Sequence, residues 1–241
     1  MAGHSKFANI KHRKGAQDAK RAKVFTRLIR EITIAARAGD DIQGNPRLRS
    51  AIIAAKAANM PKDRIDNAIK KGSASNEGDN YESFKYEAYG PAGTAFIVTS
   101  VTDNRNRSAS SIRTIFNKNG GNLAETGSVS FMFDHLGVIK YSAANILENE
   151  IFELAVEAGA QTVESNEIGH VILTNVSDFA KVRDILIEKY DNPTELGLQW
   201  IAKNKVAIDE DKQESFIRLI DLLDEDDDVE HVYHNADIIL S

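Results

Sequence analysis

The residues with the plainest chemical character in this chain are cations, and they cluster at one end. Between Gly3 and Arg37 stand ten Lys or Arg residues and only two acidic ones, Asp18 and Glu31. On a helix over 16–37, at about 100° per residue, Val24, Phe25, Leu28, Ile29, Ile32, Ala35 and Ala36 share one side. Lys20, Lys23, Arg27, Arg30 and Arg37 share the other. Such a helix turns an apolar stripe to a core and a basic stripe to something outside. Ahead of it, Lys6, Lys11, Arg13 and Lys14 lie in a segment without apolar period, which reads as a flexible basic arm. Ammonium and guanidinium groups so arranged displace the counterions condensed on a polyphosphate, and arm plus helix make the electrostatic footprint of a nucleic-acid binder. The plainer reading is a solvated helix face. It is disfavoured because few carboxylates stand within reach of these cations.

The candidate contacts are therefore His4, Lys6, Phe7, Lys11, His12, Arg13, Lys14, Lys20, Arg21, Lys23, Arg27, Arg30 and Arg37. Phe7, with His4 or His12, supplies rings able to stack on unpaired bases. For Phe7, packing against the helical segment is an equal alternative, and His12 reads more simply as a solvated arm residue. Lys62, in the connection Asn59-Met60-Pro61-Lys62, extends the basic surface if this is more than a helix–helix turn. Arg105 and Arg107 follow Asp103-Asn104 where a helix opens, and the free N–H groups of a helix start receive anions. Equally, Asp103 or Asn104 caps that helix and the two arginines are solvated.

Catalysis finds little to work with. There are no cysteines, so thiolate metal sites, disulfides and Cys nucleophiles are excluded. His231 and His234 fall three apart on an expected strand, where they face opposite ways. His4, His12, His135 and His170 form no ligand spacing, and no Gly-x-Ser-x-Gly elbow occurs. The segments Gly90–Gly93 and Asn119–Asn122 lack phosphate-loop spacing and read as turns. No catalytic residue, metal or cofactor is expected. No apolar run approaches a membrane span, and the basic N-terminus lacks the apolar core of a secretory signal, so a soluble cytoplasmic protein is expected.

The net charge of −6 hides a division: residues 1–80 carry 17 Lys/Arg against 8 Asp/Glu, and residues 81–241 carry 13 against 28. The charge of the touching domain decides, so the acidic total does not argue against nucleic acid. The pattern of elements divides similarly. Residues 1–72 read as three helices: Asn45 caps the second, Pro46 opens it, Pro61 separates it from the third, and Gly72 stops the third. Residues 73–80 have linker composition.

Strands are expected at 84–89, 94–101 and 128–133, with a helix over 104–118. Residues 137–201 then run β-α-β-β-α-β, the ferredoxin-like order, followed by a helix over 212–223 and a strand over 229–233. That last pair has no sheet of its own. The economical fold is α+β: a basic helical domain 1–80, an α+β domain 81–133 plus 206–241, and a ferredoxin-like domain 134–205 inserted between its halves. The run Asp224–Asp228 reads as a solvated loop. A sharper reading folds it toward the basic domain in competition with nucleic acid.

Several long stretches are distinctive: MAGHSKFANIKHRK, AQDAKRAKVFTRLIREI, NPRLRSAI, AKAANMPKDRIDNAIKKG, YGPAG, TDNRNRS, NGGNLAETGSVSFMFD and VYHN. In these the chain resembles the YebC/PmpR family over nearly its whole length. The resemblance implies three domains, one inserted in another. It also implies a DNA-binding transcriptional regulator, or a ribosome-associated factor that helps synthesis of proline-rich segments. The implied partners are DNA, or ribosomal or transfer RNA, and proteins met through the acidic α+β domains. A protein-interaction adaptor is the reading of another class. The family motif starts at Met1, as in the bacterial cytosolic form. Phe7 stands where the family has Trp. Ala88, Ala92 and Ala124 replace glycines, which questions any need for positive φ at those points.

Overall fold

The computed structural model describes residues 22–74 and 81–237. They belong to two compact units that divide between residues 75 and 76.

In the first unit, α1 (residues 22–37), α2 (Pro46–Ala57) and α3 (Lys62–Ala74) enclose one core. Phe25, Ile32, Ala35 and Ala36 of α1 meet Leu48, Ala51, Ile52 and Ala55 of α2, with Met60, Ile65 and Ala68. The apolar stripe read from the sequence thus turns inward, except Val24, which is 42% exposed. Thr33 takes an interior place instead, because its hydroxyl is satisfied locally by donating to the Ile29 carbonyl at 2.8 Å. Asn45 caps α2 as expected. Its side-chain oxygen accepts from Leu48 N at 3.0 Å, while its amide donates to the carbonyls of Ala35 and Gly39, each at 2.7 Å. One side chain therefore starts α2 and closes the end of α1. Asn59 takes a left-handed φ of 58°, which ends α2 and drops Met60 into the core.

Gly72 does not stop α3, which runs on to Ala74. Its glycine serves a crossing: a Cβ there would stand 2.4 Å from the Thr33 carbonyl oxygen and 2.7 Å from Ala36 Cβ. Gly72→Ala is expected to destabilise the protein by about 1–3 kcal/mol through overpacking, although Ala is the better helix former. A denaturant melt measures this; an unchanged midpoint would mean that α1 and α3 separate without cost.

The second unit holds two four-stranded antiparallel sheets. The first is built from β1 (Glu82–Tyr89), β2 (Ala95–Thr102), β3 (Asn122–Leu123) and β9 (Val229–His234), in the order β3-β1-β2-β9. α4 (Arg105–Lys118) and α7 (Glu210–Glu225) cover one face, where Phe96, Ile112, Phe116, Phe216, Leu219 and Leu223 are buried. The second sheet uses β4 (Phe133–Ser142), β5 (Thr162–Ser165), β6 (Gly169–Asn175) and β7 (Glu195–Ala202), in the order β5-β6-β4-β7. With α5 (Glu148–Ala158) and α6 (Phe179–Tyr190) it has ferredoxin-like connectivity. The fold class is α+β. The chain leaves the first sheet, builds the second, and returns to pair β9 with β2. A two-residue parallel pair, β8 (Val206–Ala207) with β10 (Ala236–Asp237), was not expected.

The expected strand over 128–133 is instead a 3-10 turn at Ser130–Met132, and β4 begins at Phe133. The cause is Glu87, only 2% exposed on β1. Its carboxylate accepts from Gly127 N at 3.0 Å, Val129 N at 2.8 Å and Ser130 N at 2.9 Å. Those N–H groups are spent on a side chain and cannot join a ladder. Burial alone would raise the Glu87 pKa, but the three N–H groups and Lys85 at 3.0 Å bring it down to about 2.

Ala92 has φ 59° and ψ 17° in the turn Pro91–Gly93. The positive φ is therefore kept although the glycine is gone. Ala92→Gly is expected to stabilise the fold by roughly 0.5–1 kcal/mol, since relief of the left-handed strain exceeds the entropy glycine loses. A lowered melting temperature would contradict this.

Candidate nucleic-acid interface

The arm residues His4, Lys6, Phe7, Lys11, His12, Arg13 and Lys14, with Lys20 and Arg21, lie outside the described residues. The described part of the basic surface belongs to α1. Lys23, Arg27 and Arg30 are half-buried and Arg37 is exposed. Helical spacing sets all four within about 80° of one another. Partial burial fits long side chains whose stems lie along the helices, and for Arg27 it reaches the Nε, which is buried. Glu31 accepts two hydrogen bonds from Arg47, from Nε at 2.9 Å and from Nη2 at 3.2 Å. The one carboxylate of α1 is thereby matched by a cation of α2. Lys62 is exposed at the start of α3, and the Asn59–Lys62 connection is a helix–helix turn. Arg64 lies over the Phe25 ring at 6.0 Å, bringing a guanidinium of α3 against α1. Arg49 is turned to the loop before α2, donating from Nε to the Ile42 carbonyl at 3.2 Å. Over residues 22–74 the balance is 11 Lys/Arg against 5 Asp/Glu.

Arg105 and Arg107 belong to the other unit. Asn104 caps α4, accepting from Arg107 N at 3.0 Å. The exposed Arg105 lies over the Phe84 ring at 5.3 Å. Arg107 donates from Nη2 to Asp228 Oδ2 at 3.0 Å and to Asp103 at 2.9 Å, and its Nε reaches Asp228 Oδ2 at 3.3 Å. Hydrogen bonds to Asp228 and then to Asp103 hold the guanidinium pKa above its ordinary value. Two carboxylates already answer this charge, so Arg107 is poorly placed to receive a phosphate.

The same contacts correct the reading of Asp224–Asp228 as a wholly solvated loop. Asp228 is buried and also accepts from the Thr102 hydroxyl at 3.0 Å. Asp226 accepts from Ser111 Oγ and from Asp228 N. The turn is fastened to β2 and α4.

Three histidines of this unit have structural surroundings. His170 is buried, with Nε2 3.3 Å from the Ile146 carbonyl oxygen and Nδ1 2.8 Å from Ser165 Oγ. His234 packs against Phe216 at 5.1 Å and Phe96 at 5.8 Å, and burial lowers its pKa. His231 lies on the opposite face, beside Tyr233. Among the described residues no group of three or more His, Asp or Glu side chains is placed to hold a metal ion, and no helix is long and apolar enough to cross a membrane.

Comparison with known proteins matches both units. Residues 5–75 match the TACO1/YebC protein N-terminal domain, and residues 81–236 match the TACO1/YebC second and third domain. A Rickettsia bellii protein, named a probable transcriptional regulatory protein, is 49% identical over 240 residues, covering 99% of this chain and 94% of that one. The crystal structure of a conserved hypothetical protein from Aquifex aeolicus superposes with a TM-score of 0.83 at 41% identity, covering 93% of each chain. The chain belongs to the TACO1/YebC family.

Proposed function

We propose that this protein is a cytoplasmic, non-enzymatic regulator that binds nucleic acid, in the first instance duplex DNA, through the basic surface of its helical unit. The observation that carries the reading is the concentration of charge. Residues 22–74 hold 11 cations against 5 acids, and six further cations precede them. The name of the Rickettsia bellii relative points the same way. Phosphate neutralisation supplies the affinity, with little base reading, because Lys and Arg on a helix face carry no sequence code of their own. Lys23, Arg27, Arg30, Arg37 and Lys62 join the arm in this surface; Arg105, on the other unit, is a separate contact, and Arg107 is left out. The strand order supports dividing the chain into a helical domain 1–80, an α+β domain 81–133 plus 206–241, and an inserted domain 134–205. The acidic sheet domains then meet protein partners.

Competition decides the target. Duplex DNA, ribosomes and transfer RNA are offered against one labelled duplex. Displacement best achieved by ribosomes or transfer RNA would move the function to translation. Absence of any salt-dependent binding would leave the adaptor reading in its place.

A further inference from the structure

The sheet unit carries an aromatic cluster at the rim of its smaller core, where Trp200 packs against Ala95, Ile97, Val129 and Phe133. Strand register sets His135 of β4 opposite Trp200 of β7, and the rings stack at 4.4 Å with 13° between planes. From β1, Lys85 brings its ammonium to 4.7 Å from the Trp200 ring, while Glu87 holds the same nitrogen at 3.0 Å. His135 is exposed and Trp200 half-buried. Farther along the same strand pair, Lys203 N donates to the Met132 carbonyl at 2.9 Å. Next to Met132 stands Phe131, 65% exposed. The loop that presents it is fixed, since Glu87 holds the N–H groups of Gly127, Val129 and Ser130. A large ring held out on a fixed loop keeps apolar surface in water that a partner would cover.

The chemistry of the cluster selects its partner. Its charges cancel locally: Lys85 is paired with Glu87, and Lys203 with Asp134 at 3.3 Å. Partial desolvation, and then the charge of Lys85, hold the His135 pKa below its ordinary 6.5. What remains open to a partner is the rings of Phe131 and His135, with Trp200 behind His135. From Phe131 to His135 they span at most about 13 Å, at ~3.3 Å per residue, the reach of a few nucleotides. Flat rings near lysine stems suit the π-faces of bases, and only unpaired bases expose those faces.

We propose that Phe131 and His135, the latter backed by Trp200, form a stacking platform for unpaired bases of a single-stranded nucleic acid, a second contact apart from the phosphate-binding helical surface. The proposal rests on the nucleic-acid reading above, and it differs in its salt response: stacking adds affinity without counterion release.

The test uses the full chain, a short single-stranded RNA and a duplex DNA. Trp200 is the only tryptophan, so its emission reports on the platform directly. Single-stranded RNA is expected to change that emission. Phe131→Ala and His135→Ala are each expected to weaken its binding about 5- to 100-fold, leaving the salt slope and duplex binding unchanged, and His135→Phe to restore affinity. If the wild type binds RNA yet both Ala variants bind equally well and Trp200 emission stays constant, the platform is overturned while the helical surface stands. Binding of neither nucleic acid by the wild type would overturn both.

Discussion

Replacing Lys11, Arg13, Lys14 and Lys20 together with Ala will flatten the salt dependence of duplex binding by about 3.6 in logarithmic slope, roughly 0.9 for each lost phosphate contact. For the wild type, engagement of roughly 6–10 phosphates would lower affinity about 10³–10⁵-fold between about 50 and 200 mM salt. The variant should therefore bind much more weakly at low salt and differ less at high salt. Little stability should be lost, because all four side chains are charged and none is expected in an apolar contact. Lys23, Arg27 and Arg30 make a poorer first test: they are half-buried, so their removal mixes lost charge with lost packing. Binding by the quadruple variant with wild-type affinity and slope would show that the contact surface lies elsewhere.

Glu87→Gln should cost about 3 kcal/mol of stability near pH 7. The shift from 4.5 to about 2 is worth that much at roughly 1.4 kcal/mol per pH unit. Gln keeps the size, but it turns an NH₂ toward donors that a carboxylate alone can satisfy, and it leaves Lys85 without its partner. The sign follows from a depressed folded pKa. The contribution is whole above about 4.5 and is lost as pH falls toward about 2. Wild type and variant should therefore differ most near neutrality and converge in acid. Equal unfolding free energies at pH 7, or a difference unchanged down to pH ~2, would contradict the role assigned to this carboxylate.

Much of the fold can be read locally. Asn45-Pro46 announces a helix start through side-chain and backbone chemistry contained in four residues, and the β-α-β-β-α-β order follows from alternating periods. The features that sequence reading misses are those completed from far away. Glu87 sits on a strand in a pattern that suggests a solvated carboxylate, and its partners lie 40 or more residues later. Asp228 looks like one acid among five until Thr102 arrives on the neighbouring strand and Arg107 on α4, both more than 100 residues earlier in the chain. Gly72 carries every mark of a helix stop, and only the crossing of α1 shows why no larger residue fits. The candidate contacts divide likewise. The cationic face of α1 follows from periodicity alone, whereas the pairing of His135 with Trp200 needs the register of β4 and β7.

The most direct test of the central claim is ultraviolet crosslinking in cells, followed by sequencing of the bound nucleic acid and mapping of the crosslinked peptides. Abundant crosslinks to DNA, carried by peptides from residues 1–71, are expected. Recovery of the protein without crosslinked nucleic acid, or with crosslinks confined to the acidic helix α7, would contradict it.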